Sequence, residues 1–223
     1  PYGYLQRKVA GKMSAVVIQG NITGYDGKQL TIAAPLADEY LLVKRNIREC
    51  EIRLTDGRAI SANQRKAIYA TLRDISLWTG YVPDETKAIM KYDFIASTGA
   101  GEFSLSDTDM TTANEFLNHL LDFCLFHSIP LSDRIIERSP DIGRTLYSCL
   151  LHKKCCLCGD KAELHHIDAV GSGRNRKEIV HFGMEVLPLC RKHHTEIHTT
   201  GKKTFCEKYH VFGIKLDEYL CGI

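Results

Sequence analysis

Between Cys149 and His210 the chain concentrates six of its nine cysteines and eight of its ten histidines. No other feature restricts the fold as much, because thiolate and imidazole donors at fixed spacing dictate which segments must meet. Cys155-x-x-Cys158 followed by glycine reads as a zinc-knuckle turn that brings two thiolates onto one metal. Cys190-x-x-His193 supplies a second pair, and the two pairs complete a Cys₃His tetrahedron. Cys156 would fit only with shortened spacing and is set aside. Interspersed Cys and His, with an odd cysteine total, point to metal rather than a disulfide framework and to a reducing compartment.

The stretch "LCRKHHTEIHTT" leaves His194 and His198 over. Their i, i+4 spacing puts both on one helix face. At about 100° per residue, their mean direction lies roughly 90° from that of Cys190 and His193. One metal cannot easily meet both faces, so a second site needs another partner. "LHHI" offers His165 and His166 at a strand end, pointing to opposite sides. One of them can bind a metal while its neighbour faces elsewhere.

C-x-x-C, then H-H-I, then L-C-x-x-H-H-x-x-x-H resembles the HNH nuclease motif, a ββα-metal fold often stapled by a second zinc. Over about residues 150–215 the likeness is to the phage-type HNH nucleases. The resemblance implies that His165, His194 and His198 hold a catalytic divalent metal, and that His166 is the general base. It implies a structural zinc on Cys155, Cys158, Cys190 and His193, and phosphodiester hydrolysis as the chemistry. A neutral imidazole with a pKa near 6.5 suits the base, and three protein ligands leave coordination open for phosphate. One position departs from the family pattern: Glu185 stands where the motif Asn is expected, with His181 and Asn175 as alternatives. A carboxylate ligand there would favour Mg²⁺ or Mn²⁺, and Ni²⁺ or Zn²⁺ stay open as the catalytic metal.

The net charge of +2 hides a segregation. Residues 44–73 carry eight Lys/Arg against three Asp/Glu, residues 74–141 four against twelve, and residues 146–223 twelve against nine. Two basic regions therefore flank an acidic one, as expected of phosphate-facing surfaces. The loop "GSGRNRK" offers Arg174, Arg176 and Lys177 to a DNA backbone. No apolar run approaches the ~18–20 residues of a membrane span, and no secretory segment is apparent, which together predict a soluble intracellular protein.

Upstream, residues 1–12 lack periodicity and are expected to be a leader, a tag scar or a disordered start. From Met13 the pattern predicts a β-hairpin across "TGYDGK", a helix over "PLADEYLLVKRN" and a strand over "ECEIRL". Ser61 is the expected N-cap of a helix whose buried stripe is Ala67, Ile68, Leu72, Ile75 and Leu77. Further helices are expected over "PDETKAIMKYDFIAS" and "MTTANEFLNHLLDFCLFHSI", and one broken near Pro140. His119, Cys124 and His127 read as core or surface residues rather than ligands.

About residues 28–135 are similar to the phage lambda Orf (NinB) recombination proteins, through the "S-x-x-Q-R-K" helix start, the acidic second helix and an "F-x-x-x-L" helix. That likeness implies binding to single-stranded DNA, contact with single-strand-binding protein and a homodimer. Arg58, Arg65 and Lys66 would then meet phosphate at a strand-to-helix junction. The expected architecture is α+β: an Orf/NinB-like DNA-binding domain over 13–140 and a zinc-stapled HNH domain over 141–223. The expected function is a phage-encoded recombination or repair nuclease, acting on single-stranded or branched DNA in the bacterial cytoplasm. A non-catalytic zinc-stapled recombination mediator is the alternative.

Overall fold

In the computed structural model, which describes residues 18, 20–35, 52, 58–167 and 182–221, the first long helix begins where its cap demands. Ser61 Oγ accepts from the Gln64 amide at 3.2 Å, and Gln64 Oε1 accepts from the Ser61 amide at 2.8 Å. This reciprocal capping box satisfies two donors that the first turn would otherwise orphan. The helix, α1, runs Ala62–Thr79 and stops at Gly80, whose φ of 79° an L side chain rarely adopts. α2, Pro83–Thr98, opens with proline in its first turn and Asp84 and Glu85 beside it. α3, Met110–His127, is capped by Asp109, whose carboxylate accepts from the Thr112 amide.

These three helices bury Ile68, Leu72, Ile75, Phe94, Phe116 and Leu120 between them. Phe94 meets Phe103 and Phe116 edge-on at 5.7 and 5.5 Å, so the aromatic rings interlock rather than stack. The expected α1 stripe holds with one correction: Leu77 is 73% exposed. It lies two residues beyond Ile75, about 200° around the helix, and so faces solvent. His119 and His127 both take part in the contacts of the helical layer. His119 Nε2 lies 2.9 Å from Asp93 Oδ2, and His127 packs among Trp78, Phe123 and Phe126.

The helix expected near Pro140 is split into α4, Ile135–Arg138, and α5, Ile142–Leu151. Arg138, only 5% exposed, pairs with buried Asp74 of α1 at 2.7 Å and ties α4 to the helical layer. Beyond α5 come β3, Glu163–His166, and β4, Glu185–Leu189. α6, Arg191–Thr200, and α7, Lys202–Tyr209, follow, then β5, Ile214–Lys215, and α8, Glu218–Cys221. The strands form an antiparallel sheet of order β3-β4-β5. A single buried cluster runs from Ile68 and Phe116 through Leu146, Cys149 and Leu157 to Leu187, Leu189 and Ile197.

A separate antiparallel hairpin pairs β1, Asn21–Tyr25, with β2, Leu30–Ala33. Asp26 Oδ1 accepts from the Lys28 and Gln29 amides at 2.8 and 2.7 Å, closing the expected turn. Among the described residues, helices thus combine with two small antiparallel sheets. The expected helix over 35–46 and strand over 49–54 fall on segments that lie, apart from Pro35 and Ile52, outside the described residues, as do residues 1–12. No helix among the described residues is long and apolar enough to cross a membrane.

Candidate metal centres

The knuckle is set by backbone geometry before any metal is considered. The Cys155 amide donates to the Asp160 carbonyl at 2.7 Å, and the Gly159 amide to the Cys155 carbonyl at 2.9 Å. Gly159 closes this turn at φ 75°, where a Cβ would be strained. Cys190 is the N-cap of α6, and His193 lies one turn on. Cys190 Sγ and His193 Nδ1 are 3.2 Å apart, Cys155 Sγ and His193 Nδ1 3.4 Å, and Cys158 Sγ and Cys190 Sγ 3.5 Å. All four donor atoms lie within 4.8 Å of one another. Three sulfurs and one imidazole nitrogen in that volume suit a tetrahedral ion such as zinc. Burial pushes the Cys155 thiol up, so its thiolate calls for a cation beside it, and pushes the His193 imidazole down, towards the neutral form that can donate a lone pair. Cys156 is fully buried, with its amide bonded to the Pro188 carbonyl at 3.0 Å, and is not one of the four.

A second donor set occupies the next face of α6. His165, His194 and His198 place one ring nitrogen each within 4.8 Å of the others. Ring centroids are 4.9 Å apart for His165–His194, 4.8 Å for His165–His198 and 5.0 Å for His194–His198. His165 is 6% exposed, and burial plus the neighbouring imidazoles lower its pKa to about 4. It is therefore neutral at physiological pH, the form in which imidazole donates a lone pair.

Strand register explains the placement. His165 pairs with Leu187 and His166 with Val186, so consecutive histidines leave β3 on opposite faces. Glu163, two residues before His165, shares the His165 face, and its Oε2 accepts from His194 Nδ1 at 3.0 Å. A carboxylate only accepts, so His194 must carry its proton on Nδ1, leaving the Nε2 lone pair for a ligand. That hydrogen bond also holds the Glu163 carboxyl below its ordinary value. The sequence reading passed over Glu163, although its i, i+2 spacing from His165 was the available signal.

The remaining expected residues divide. Glu185 opens β4 on the face of Leu187 and therefore of His165, and it is not within the three-histidine cluster. Its side chain lies beside Gly213: a Cβ there would come within 2.9 Å of Glu185 Cβ and 2.8 Å of Ile167 Cγ1. Arg58 precedes the Ala59–Asp109 bridge, and its carbonyl accepts from the Met110 amide at 2.7 Å. Arg65 and Lys66 sit in the first turns of α1. Lys66 is exposed, whereas Arg65 Nη2 donates to the Ser106 carbonyl at 2.7 Å. Arg174, Asn175, Arg176, Lys177 and His181 lie outside the described residues.

No curated protein and no solved structure matches the chain significantly. A family model described as "Putative HNHc nuclease" matches residues 37–223, spanning the helical layer as well as the Cys/His-rich module. That span covers well over half of the chain, which belongs to the HNHc nuclease family.

Proposed function

We propose that the protein is a metal-dependent deoxyribonuclease in which His166 is the general base. The observation that carries this reading is the division of α6 into two donor sets, one closed by four ligands and one left with three. A closed Cys₃His set suits a structural ion, whereas three protein ligands suit a catalytic one that keeps a position for substrate. A divalent cation on His165, His194 and His198 would supply charge stabilisation at the phosphate. The donors fit such an ion: His165 is buried and neutral, and Glu163 fixes the His194 tautomer.

His166, displayed on the opposite side of β3 from His165, accepts the proton of the attacking water. Arg174, Arg176 and Lys177 follow it in the β3–β4 connection and would contact the DNA backbone. Arg58, Arg65 and Lys66 add a second basic region on the helical layer. Glu185 takes the place of the motif Asn and would support the β3 end that carries the base. The substrate on this reading is single-stranded or branched DNA, in a phage recombination setting in the bacterial cytoplasm. Homodimerisation and contact with single-strand-binding protein belong to the same proposal and follow from the Orf likeness.

The test is cleavage of single-strand, duplex, flap and junction DNA with Mg²⁺, Mn²⁺, Ni²⁺ or Zn²⁺, alongside His166→Ala. Wild-type cleavage with loss of roughly 10²–10⁴-fold in the variant, the usual contribution of a general base, is expected. No cleavage by wild type in any metal would leave the recombination-mediator reading standing instead.

A further inference from the structure

The helical layer holds a second concave site that the histidine chemistry does not use. α1 and α2 each present a pair at i, i+4 spacing, Arg65 with Tyr69 and Lys87 with Lys91. Together with Ser104 and Ser106 of the loop after α2, these side chains line a cavity of about 340 Å³. That is at the lower end of the ~300–1,000 Å³ typical of small-ligand clefts. Three of the lining side chains are cationic and none is a carboxylate. The acids nearby act from outside the lining: Asp84 pairs with Lys87 at 2.9 Å, and Asp107 accepts from the Ser106 hydroxyl at 3.3 Å.

The walls are fixed in advance of any ligand. Arg65 Nη2 donates to the Ser106 carbonyl at 2.7 Å, and the Ser104 and Ser106 hydroxyls are 2.8 Å apart. Lys91 donates to the Phe103 carbonyl, with its ammonium 4.7 Å from the Phe103 ring centre. Arg65 Nε is buried and makes no hydrogen bond among the described residues. Tyr69 is 46% exposed at the rim. A held guanidinium, two ammonium groups and two hydroxyls are the donors that recognise phosphate. An exposed aromatic ring beside them is what a strand needs to stack an unpaired base.

We propose that this cavity holds one phosphate of a single-stranded DNA segment while Tyr69 stacks on the adjoining base, anchoring substrate away from the cleavage centre. The proposal rests on DNA being the substrate. Its test is fluorescence anisotropy of a labelled oligothymidine with the full chain, without added divalent metal, over a salt series. Lys87→Ala should weaken binding and reduce the log–log salt slope by about 0.7, the share of one single-strand phosphate contact. Tyr69→Ala should weaken binding roughly 5–150-fold, while Tyr69→Phe keeps the wild-type affinity because stacking survives. Tyr69 is exposed, and the one partner Lys87 would lose is the solvent-facing Asp84, so melting curves should stay close to wild type.

Wild-type affinity and slope in both alanine variants would overturn the proposal, as would a wild-type protein that does not bind oligothymidine. A protein that binds through this cavity yet never cleaves would overturn the nuclease reading alone.

Discussion

At the residue scale, His193 and His194 are neighbours that join different donor clusters, because about 100° of helix rotation separates them. His193 closes the Cys155, Cys158 and Cys190 set, so His193→Ala should remove the staple that joins the knuckle to α6. Loss of a structural metal belongs to the class of changes costing about 4 kcal/mol or more. For a chain of this length that corresponds to a fall of roughly 8–16 °C in melting temperature, which calorimetry would read. An unchanged melting temperature would contradict the closed-site assignment. Glu163→Gln should lower divalent-metal affinity at the three-histidine set by roughly 10–100-fold, measured by calorimetric titration, without unfolding the chain.

His165 also sets a pH dependence for the metal-free protein. Its folded pKa is near 4, against 6.5 for the free side chain, so between those values the unfolded chain binds the proton more readily. Stability should therefore fall as pH drops from about 6.5 towards 4. Denaturant unfolding of His165→Gln should show a flatter profile across that window.

Much of this was legible at the residue level, since donor type and spacing are properties of the chain. The structure brings together two clusters of donor atoms that could each hold a metal ion, and they group the residues of C-x-x-C, C-x-x-H and the i, i+4 histidines. The partner of His194 was not read, because a lone glutamate in a strand has no distinctive pattern until register brings it opposite a ring. Arg65 illustrates the converse. Sequence marks it as basic, but only the fold of the 104–106 loop shows its guanidinium already engaged by the Ser106 carbonyl.

At the scale of elements, the β3–β4 register decides which of the two consecutive histidines joins the His194–His198 cluster: it is His165, and His166 faces the other way. A one-residue slip would exchange the faces of His165 and His166, so the contacts that pin the register matter for chemistry. Gly213 is one of them, because it lets β5 approach Ile167 and Glu185 closely. Gly213→Ala would force side-chain displacement at about 1–3 kcal/mol, the usual cost of overpacking. The expected readout is a reduced cleavage rate with modest loss in thermal unfolding; unchanged rate and stability would show that the sheet end yields freely. The helices were the best-signalled elements: Ser61, Pro83, Asp109, Gly80 and Gly99 mark their ends by local chemistry. Leu77 was misplaced because its spacing looks helical in a list but lies on the wrong side of a helix that meets the core along one stripe.

At the scale of the whole molecule, the helical layer and the metal module share one buried cluster, and the family match runs through both. Staple and core are then coupled through Cys155, Leu157, Leu187 and Leu189. The protein would present its histidine chemistry on a rigid ββα frame and its basic side chains on the adjoining helices. The central claim is that α6 serves two metals, one for folding and one for cleavage. It is tested most directly by the metal-dependent DNA cleavage rate of His194→Ala in protein that retains its zinc and its wild-type melting temperature. The account predicts a folded protein whose cleavage is reduced at least about 10²-fold; cleavage at the wild-type rate would contradict it.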